Sequence, residues 1–579
     1  MKLKKSIKNG LYRLYLSLKR YPFAISFSTL TTIILIVLTY KGNTYNEETL
    51  QKIAMVTALG FPFFLCIKSI FEKKNELDPV TKIIINVFSI ILILSYIFLL
   101  REINMVSITR YIAVNLSLYL IFLIIPYFLK RENFELYVVK IFSRYITTII
   151  YSIVLYIGLS VTIFTINKLL NVPISWELYV YNWLCTIGIF APIFLLAGIP
   201  EYNETVTIKE YPRILEILLI YIVMPLITIY TFILYLYFGK ILIIRQWPQG
   251  LLAHLVLWYA IITISVLFIV SPLKNKNNWI RFFVKWMPTA LIPPLLMMFA
   301  AIGIRIKTYG VTENRYFVVL MGLWIIGIVI YYILSKKKYN IILPLSLAVI
   351  SFLAVFGPWS SYSLSIMSQN KRFVEIVQKY DMIRDDTIIE SEKEISEDDQ
   401  KDLESILRYF EYSHNLSDLK YLPDDFIDDD AKKYFGFSYY SRYRNQDLQY
   451  FYYSFKDNNK IIIKNYDYLF YFSSYNNELL DTENNLKVKL NKLSMDLQIL
   501  QDEIVIYHKS LLPILAEFHN ENKDLKHENY YEKEFIFTDE NYNTSLKIIF
   551  NSFNGNYEKG NPDNFNINHI TFHILFKVK

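Results

Sequence analysis

Long apolar runs separated by short polar segments fill the first 359 residues of the chain. The runs cover residues 21–40, 53–71, 83–100, 111–129, 145–167, 177–199, 214–238, 251–271, 286–304, 316–334 and 340–357. As helices, runs of this length are suited to cross a hydrocarbon layer of about 30 Å. In lipid the helix satisfies every backbone polar group internally. The pattern therefore predicts a polytopic α-helical membrane protein with about eleven transmembrane helices.

The pattern changes completely after Trp359. A helix is predicted to leave the last span, and a second helix is predicted with Ser396 as N-cap and Asp399 reaching back to it. Leu486, Val488 and Leu490 then alternate with polar residues, which is typical of a half-buried strand. We therefore expect two domains, a multi-span membrane domain over residues 1–359 and a soluble α+β domain over residues 360–579.

Charge is distributed as unevenly as hydropathy. Residues 1–359 carry 34 Lys and Arg against 14 Asp and Glu, and residues 360–579 carry 26 against 38. When the N-terminus is placed in the cytoplasm, the inner segments of the membrane domain hold 23 cations and the outer loops hold ten. The positive-inside rule then predicts a cytoplasmic N-terminus and a C-terminal domain outside the cytoplasmic membrane.

Composition excludes several kinds of site. The only cysteines, Cys66 and Cys185, lie in apolar runs, so the polar half can hold neither a disulfide framework nor a cysteine metal site. The basic residues lie in short clusters between spans, which favours membrane orientation over nucleic-acid binding. The sequence contains no nucleophile elbow, Walker loop or dinucleotide-binding turn. We therefore expect no metal, no cofactor and no catalytic residues.

One outer loop, RIKTYGVTENRYF, departs from the charge bias. It holds Arg305, Lys307 and Arg315, more cations than any other outer loop. In one interpretation it is a binding site for an anionic headgroup, with Glu313 paired to one of the arginines and Gly310 in a tight turn. The alternative is structural, with Thr312 capping the tenth span. The candidate binding residues are Arg305, Tyr309, Glu313, Asn314, Arg315 and Tyr316.

Prolines mark two further features of the membrane domain. Pro293 and Pro294 are predicted to break or kink the ninth span. Gly357 and Pro358 are predicted to end the eleventh, with Trp359 at headgroup depth. Beyond them Phe373, Val374 and Val377 form an apolar stripe that is expected to dock the outer domain on the membrane bundle. The candidate junction residues are Gly357, Pro358, Trp359, Gln369 and Arg372.

Two stretches resemble a bacterial membrane-protein family, domain of unknown function 4153. The matching positions are Tyr309, Gly310, Thr312, Glu313, Arg315 and Tyr316, followed by Gly357, Pro358, Trp359, Ser368, Gln369 and Arg372. The large C-terminal domain and the composition rich in Lys, Ile, Asn and Tyr are similar to members from Bacteroidota. The resemblance implies no established activity. It implies a bacterial cytoplasmic (inner) membrane protein with a periplasmic C-terminal domain.

These observations favour a non-catalytic function. The leading hypothesis is a membrane-anchored envelope binding, scaffold or signalling module, because a large outer domain lacks recognisable chemistry. The alternative is a transporter or lipid-handling protein with a site near Arg305, Glu313 and Arg315. The expected partners are the lipid bilayer and, beyond it, anionic lipid or envelope proteins, without nucleic acid.

Overall fold

The computed structural model divides into two compact units, Met1–Phe426 and Ile427–Lys579. It describes the chain apart from residues 1, 42–46, 75–76, 101, 129–132, 171, 203, 205, 245–250, 424–425, 427–429, 438–447, 456–460, 462, 474–477, 482–485, 492–493, 503, 523–529, 532–534 and 559–564. The domain boundary predicted after residue 359 marks the point where the chain is expected to leave the membrane. It is not the boundary between these two units, and it stays a prediction.

Helices make up most of the first unit. They are α1 (Lys2–Arg20), α2 (Pro22–Lys41), α3 (Glu47–Lys73), α4 (Pro79–Ser95), α5 (Met105–Ile124), α6 (Phe134–Leu169), α7 (Glu177–Cys185), α8 (Ala191–Leu196), α9 (Arg213–Leu218), α10 (Met224–Ile244), α11 (Leu251–Val270), α12 (Asn278–Ala290), α13 (Ile292–Tyr309), α14 (Glu313–Leu334), α15 (Ile342–Leu353), α16 (Ser361–Lys379) and α17 (Glu397–Ser413). Between α16 and α17 lies an antiparallel hairpin of two short strands, β1 (Ile383–Arg384) and β2 (Thr387–Ile388).

Among the described residues, ten helical segments are long and apolar enough to cross a membrane. They are Pro22–Tyr40, Glu47–Lys73, Pro79–Leu99, Met105–Tyr127, Phe134–Leu169, Glu177–Leu196, Arg213–Ile244, Leu252–Leu273, Asn278–Tyr309 and Glu313–Leu334. They correspond in order to the first ten predicted spans. Single π-helical turns, Thr186–Phe190 and Leu219–Val223, join α7 to α8 and α9 to α10. The prediction of a polytopic helical membrane protein is confirmed.

The eleventh predicted span is shorter than expected. Its helix, α15, has 12 residues and is therefore about 18 Å long. The chain nevertheless returns along the whole of α14. Tyr332 donates a hydrogen bond to Asn340 before α15 (2.8 Å), and Tyr316 donates one to the carbonyl of Trp359 after it (2.9 Å). The two tyrosines are 16 residues apart on α14, about 24 Å along its axis. A short helix and an irregular tail together cover this distance.

The ninth span is interrupted as the prolines predict. Helix α12 ends at Ala290 and α13 begins at Ile292, with Pro293 and Pro294 in its first turn. Because Pro294 has no N–H, the carbonyl of Ala290 loses its helical donor. The hydroxyl of Tyr235 on α10 donates to that carbonyl instead, at 3.0 Å. A neighbouring span thus satisfies the backbone group that the break exposes.

Helix α17 has the start and the face that its sequence predicts. Ser396 is the N-cap, and its side chain accepts a hydrogen bond from the N–H of Asp399. The carboxylate of Asp399 accepts in turn from the Ser396 hydroxyl at 2.8 Å. The apolar face of the helix is fully buried at Leu403, Ile406, Leu407 and Phe410. Helix α16 packs against both α14 and α17.

Within its described residues, the second unit contains two short helices and sheets whose strands pair antiparallel except for β3 with β9, which confirms the predicted α+β class. Its elements are α18 (Asp430–Phe435), β3 (Leu448–Phe455), β4 (Tyr468–Ser473), β5 (Glu478–Asp481), β6 (Leu486–Asn491), β7 (Asp496–Gln501), β8 (Ile504–Ser510), α19 (Leu512–Asn522), β9 (Tyr530–Tyr531), β10 (Phe535–Glu540), β11 (Thr544–Glu558) and β12 (Phe565–Val578).

These strands form two sheets. The larger has the order β4-β12-β11-β3-β9 with β10 also on β11, and the smaller has the order β5-β6-β7-β8. The predicted alternation on β6 is observed, because Leu486, Val488 and Leu490 are buried and Lys487 and Lys489 are not. Phenylalanines from three strands fill the core of the larger sheet, namely Phe472, Phe550, Phe553, Phe572 and Phe576.

Candidate functional site

The turn between α13 and α14 is built around Gly310. The residue has a φ of +69°, a backbone conformation that side-chain-bearing residues rarely adopt. A Cβ added there would lie 2.8 Å from Cδ of Arg372 and 2.9 Å from Nε2 of Gln369. Glycine is therefore required twice, once by the backbone and once by the close approach of α16. The predicted tight turn with positive φ is confirmed.

Arg315 holds this turn from within α14. Its Nη1 donates to the carbonyl oxygens of Tyr309 at 2.9 Å and Gly310 at 2.7 Å. The guanidinium also lies 5.6 Å from the centre of the Tyr309 ring, which is within cation–π range. The carbonyl groups at the end of α13 have no helical donors, so these bonds satisfy them. Arg315 therefore acts here as a C-terminal cap for the preceding span.

Helix α16 closes on the same turn from the other side. Nε2 of Gln369 donates to the carbonyl oxygens of Tyr309 (3.1 Å) and Val311 (2.8 Å). Nη1 of Arg372 also donates to the Tyr309 carbonyl (3.0 Å), while its Nη2 lies 2.9 Å from Oδ1 of Asp402 on α17. The hydroxyl of Ser368 accepts from the Val311 N–H at 2.9 Å. The turn, α16 and α17 are thus bonded as one assembly.

A second connection joins the first residue of α14 to the end of α17. Oε1 of Glu313 accepts a hydrogen bond from the hydroxyl of Tyr409 at 2.6 Å and lies 2.7 Å from Nε2 of His414. The side chain of His414 is 3% exposed and that of Glu313 is 18% exposed. Nε2 of His414 donates to the carboxylate only in the tautomer that carries its proton on Nε2, so we assign that tautomer.

The phenol of Tyr409 is held in its protonated form. Burial raises its pKa, and the hydrogen bond to the Glu313 carboxylate raises the pKa further. A group whose pKa is higher in the folded state stabilises the fold below its unfolded pKa and loses that contribution as the pH rises through the folded value. Tyr409 therefore remains a donor to Glu313 at neutral pH, and alkaline solution weakens the connection.

Asn370 ties α16 to the segment after α17. Its Nδ2 donates to the carbonyl of Asp418, and its Oδ1 accepts from the N–H of Lys420, both at 2.8 Å. The side chain is buried, so its polar character inside the exit helix has a structural reason.

An ion pair near the end of α16 completes the contact with α17. Nζ of Lys379 lies 2.5 Å from Oδ2 of Asp399, which also accepts from the hydroxyl of Tyr380 at 2.7 Å. Burial alone would raise the pKa of Asp399, but the bonds from Lys379, Tyr380 and Ser396 lower it overall. The contribution to stability is present above the unfolded pKa and is lost as the pH falls through the lower folded value.

The junction after α15 differs in detail from the prediction. Helix α15 ends at Leu353, before Gly357 and Pro358 rather than at them. Gly357 has a φ of +87°, with the Trp359 ring about 3.1 Å from where a Cβ would lie. Nε of Arg110 on α5 donates to the carbonyl of Val355 at 3.3 Å, and its guanidinium lies 5.9 Å from the centre of the Phe356 ring. The irregular segment is therefore ordered by contacts with α5 and with Tyr316.

Among the candidate binding residues, the structure brings Tyr309, Glu313, Arg315 and Tyr316 into intramolecular contacts. The prediction that Glu313 pairs with Arg305 or Arg315 is wrong, because the carboxylate faces α17. Thr312 occupies the N-cap position, but its side chain makes no capping bond. In the part of the chain that the structure describes, neither the Arg305 nor the Asn314 side chain has a hydrogen-bonding partner.

Sequence reasoning missed Tyr409, His414 and Asp402. The first two lie 96 and 101 residues from Glu313, so no local spacing connects them. Of the predicted stripe, Phe373 and Val377 are fully buried and Val374 is partly buried. Among the described residues, no group of three or more His, Cys, Asp or Glu side chains is arranged to hold a metal ion.

The fold and this site define a polytopic helical membrane protein with a C-terminal α+β domain. The chain belongs to the family described as Domain of unknown function (DUF4153), whose model matches residues 29–385. It is also similar to the uncharacterized protein PM1469 of Pasteurella multocida (strain Pm70), with 22% identity over 382 residues. That alignment covers 65% of this chain and 62% of the relative, so the chain spans less than two thirds of the relative's length. No solved structure matches the chain.

The Gly310 turn can be tested by substitution. Gly310→Ala should lower the free energy of unfolding by about 1–3 kcal/mol, because alanine is strained at positive φ and would collide with α16. Thermal denaturation of the purified protein in detergent measures the change. Gly303→Ala is the matched control, since Gly303 lies in the same helix with open space around its Cβ position. Equal effects of the two substitutions would contradict the role of the turn.

The attachment of α16 can be tested by proteolysis. Lys371 is exposed, but Arg372 is largely buried, and both lie in a helix packed on two others. Trypsin should therefore cut there at least roughly tenfold more slowly than in the denatured protein. Lys393, in the exposed connection before α17, is an internal reference and should be cut first. Cleavage after Lys371 or Arg372 as fast as in the denatured protein would show a mobile tether.

Proposed function

We propose that the protein is a membrane-anchored scaffold or signalling module of the bacterial envelope. Its helical bundle holds α16 and α17 in a fixed position at one end of the spans. The observation that carries the proposal is the contact of Glu313, the first residue of a membrane span, with Tyr409 and His414 at the end of α17. A displacement of α14 along its axis would be transmitted through this contact to α17.

The geometry supports a rigid connection more than a flexible tether. Helix α16 follows the last apolar helix after only seven residues, and it is bonded to the turn at Tyr309 and to α17. A segment that served only as a linker would be rich in Gly and Ser and free of such contacts. Hydrogen bonds to charged groups contribute about 1.5–3 kcal/mol each, so several of them resist separation of the helices.

We propose the cytoplasmic membrane as the location, with the N-terminus inside and α16, α17 and the second unit in the periplasm. The bias of 23 inner cations against ten outer ones supports this orientation. The return of the chain along α14 supports an odd number of crossings. On this proposal the C-terminal domain meets envelope proteins, and the family resemblance to Bacteroidota members gives the expected kind of envelope.

Hydrogen exchange tests the connection between α14 and α17. Glu313→Ala leaves His414 buried without its acceptor, so amide protons of residues 397–413 should exchange faster by roughly tenfold or more. Mass spectrometry of peptides from the purified protein measures the rates. Asn314→Ala is the control, because the adjacent Asn314 is exposed.

Tyr409→Phe provides a milder second variant in case Glu313→Ala does not fold. It removes one donor to the carboxylate and should shift exchange in the same peptides by a smaller amount. Unchanged protection of residues 397–413 in both variants would contradict the proposed connection.

Cysteine labelling tests the orientation. In a background with Cys66→Ala and Cys185→Ala, Lys371→Cys should react with a membrane-impermeant maleimide in intact spheroplasts. Asn275→Cys, in the exposed connection before α12, should react only after permeabilisation. The opposite result would reverse the orientation. Reaction of both introduced cysteines from the same side of the membrane would show that the segment containing α15 does not cross the membrane.

A further inference from the structure

Cations accumulate at the membrane end where α13 and α14 meet. Tyr309 is the last residue of one candidate span and Glu313 is the first residue of the next. The turn between them therefore lies at the depth of lipid headgroups, whichever side of the membrane it faces. Tyr309 and Trp359 are exposed there, at 47% and 53%, as is common for aromatic residues at a membrane interface.

The carboxylates near the turn leave most of this positive charge unpaired. Asp402 pairs with Arg372, and Glu313 is directed at His414 and Tyr409. Within the part of the chain that the structure describes, no carboxylate forms an ion pair with Arg305, Lys307 or Arg315. Among the described residues, these three cations at the ends of α13 and α14 therefore have no carboxylate as counter-ion.

The arrangement also brings like charges together. Nη1 of Arg315 and Nη1 of Arg372 both donate to the carbonyl of Tyr309, at 2.9 and 3.0 Å, so these two guanidinium groups lie side by side. Arg305 is four residues before Tyr309 on α13, so both side chains lie on the same face of the helix. Repulsion of this kind is relieved when an anion binds between the cations.

Arg315 is prepared for such an anion. Its Nη1 is fixed by the carbonyls of Tyr309 and Gly310, and the Tyr309 ring lies beside the guanidinium. Arginine has five N–H donors, and the contacts with these carbonyls occupy only one of its three nitrogens. A planar guanidinium with a free edge binds the oxygens of a phosphate group in a bidentate manner.

We propose that Arg305 and Arg315, with Lys307 adding positive charge nearby on α13, bind the phosphate of an anionic lipid headgroup. The site goes beyond the connection to α17, because none of its cations contacts Glu313, Tyr409 or His414. It gives the lipid-handling alternative a defined place, at the Tyr309 turn. A lipid is favoured over a free anion because the turn lies at headgroup depth and its exposed aromatic rings suit an interface.

Native mass spectrometry of the detergent-purified protein tests the site. The probes are phosphatidylglycerol, phosphatidylcholine and inorganic phosphate, each titrated separately. We expect phosphatidylglycerol to bind with preference over phosphatidylcholine, and Arg305→Gln to weaken its binding roughly fivefold. Lys371→Gln is the matched control, because it removes one exposed charge on α16 without touching the turn. It should leave the binding unchanged.

The other outcomes overturn the proposal. Equal weakening by Arg305→Gln and Lys371→Gln would show a diffuse surface charge instead of a site. Binding of inorganic phosphate as tight as that of the lipid would make the ligand a free anion. Failure of Arg305→Gln to weaken phosphatidylglycerol binding would exclude the three cations as the site. Hydrogen exchange of residues 397–413 in Arg305→Gln should match that of the unsubstituted protein. A failure of the proposed lipid site is therefore distinguishable from a failure of the connection between α14 and α17.

Discussion

The carboxylate of Glu313 links the membrane bundle to the helices that follow it. It starts a membrane span, and both of its contacts, Tyr409 and His414, belong to a helix end about a hundred residues later. Removing one partner of a buried hydrogen bond leaves the other partner unsatisfied, which typically costs about 1–3 kcal/mol and more for a charged group. The position of α17 relative to α14 therefore depends on this contact more than on any exposed ion pair in the region.

The Gly310 turn makes that contact geometrically feasible. Its positive φ reverses the chain within three residues, and the lack of a Cβ lets Gln369 and Arg372 reach the carbonyls of the turn. Helix α16 is thereby fixed beside the start of α14, and α17 packs on α16. The ion pair of Lys379 with Asp399 is more exposed and adds less, since water and salt screen the attraction between surface charges.

Local chemistry made much of the fold predictable from the sequence. Span positions follow from apolar length, the break before α13 from Pro293 and Pro294, the start of α17 from Ser396, and the turn from Gly310. The contact partners of Glu313 were not predictable, because a carboxylate near two arginines suggests local pairing, and the actual partners are remote in sequence. The shortness of α15 was also missed, since apolar residues 354–357 extend the hydropathy signal without extending the helix. The buried role of Asn370 likewise depends on a backbone segment that follows α17.

A double-mutant cycle between Glu313→Ala and His414→Ala tests whether the Glu313 carboxylate and His414 stabilise the fold through their mutual contact. The free energies of unfolding of the protein, both single variants and the double variant are measured by denaturant titration in the same detergent. We expect a coupling energy of at least ~1 kcal/mol, because each single substitution already removes the contact between Glu313 and His414. Additivity of the two substitutions within about 0.3–0.5 kcal/mol would contradict it, since residues that do not interact behave independently.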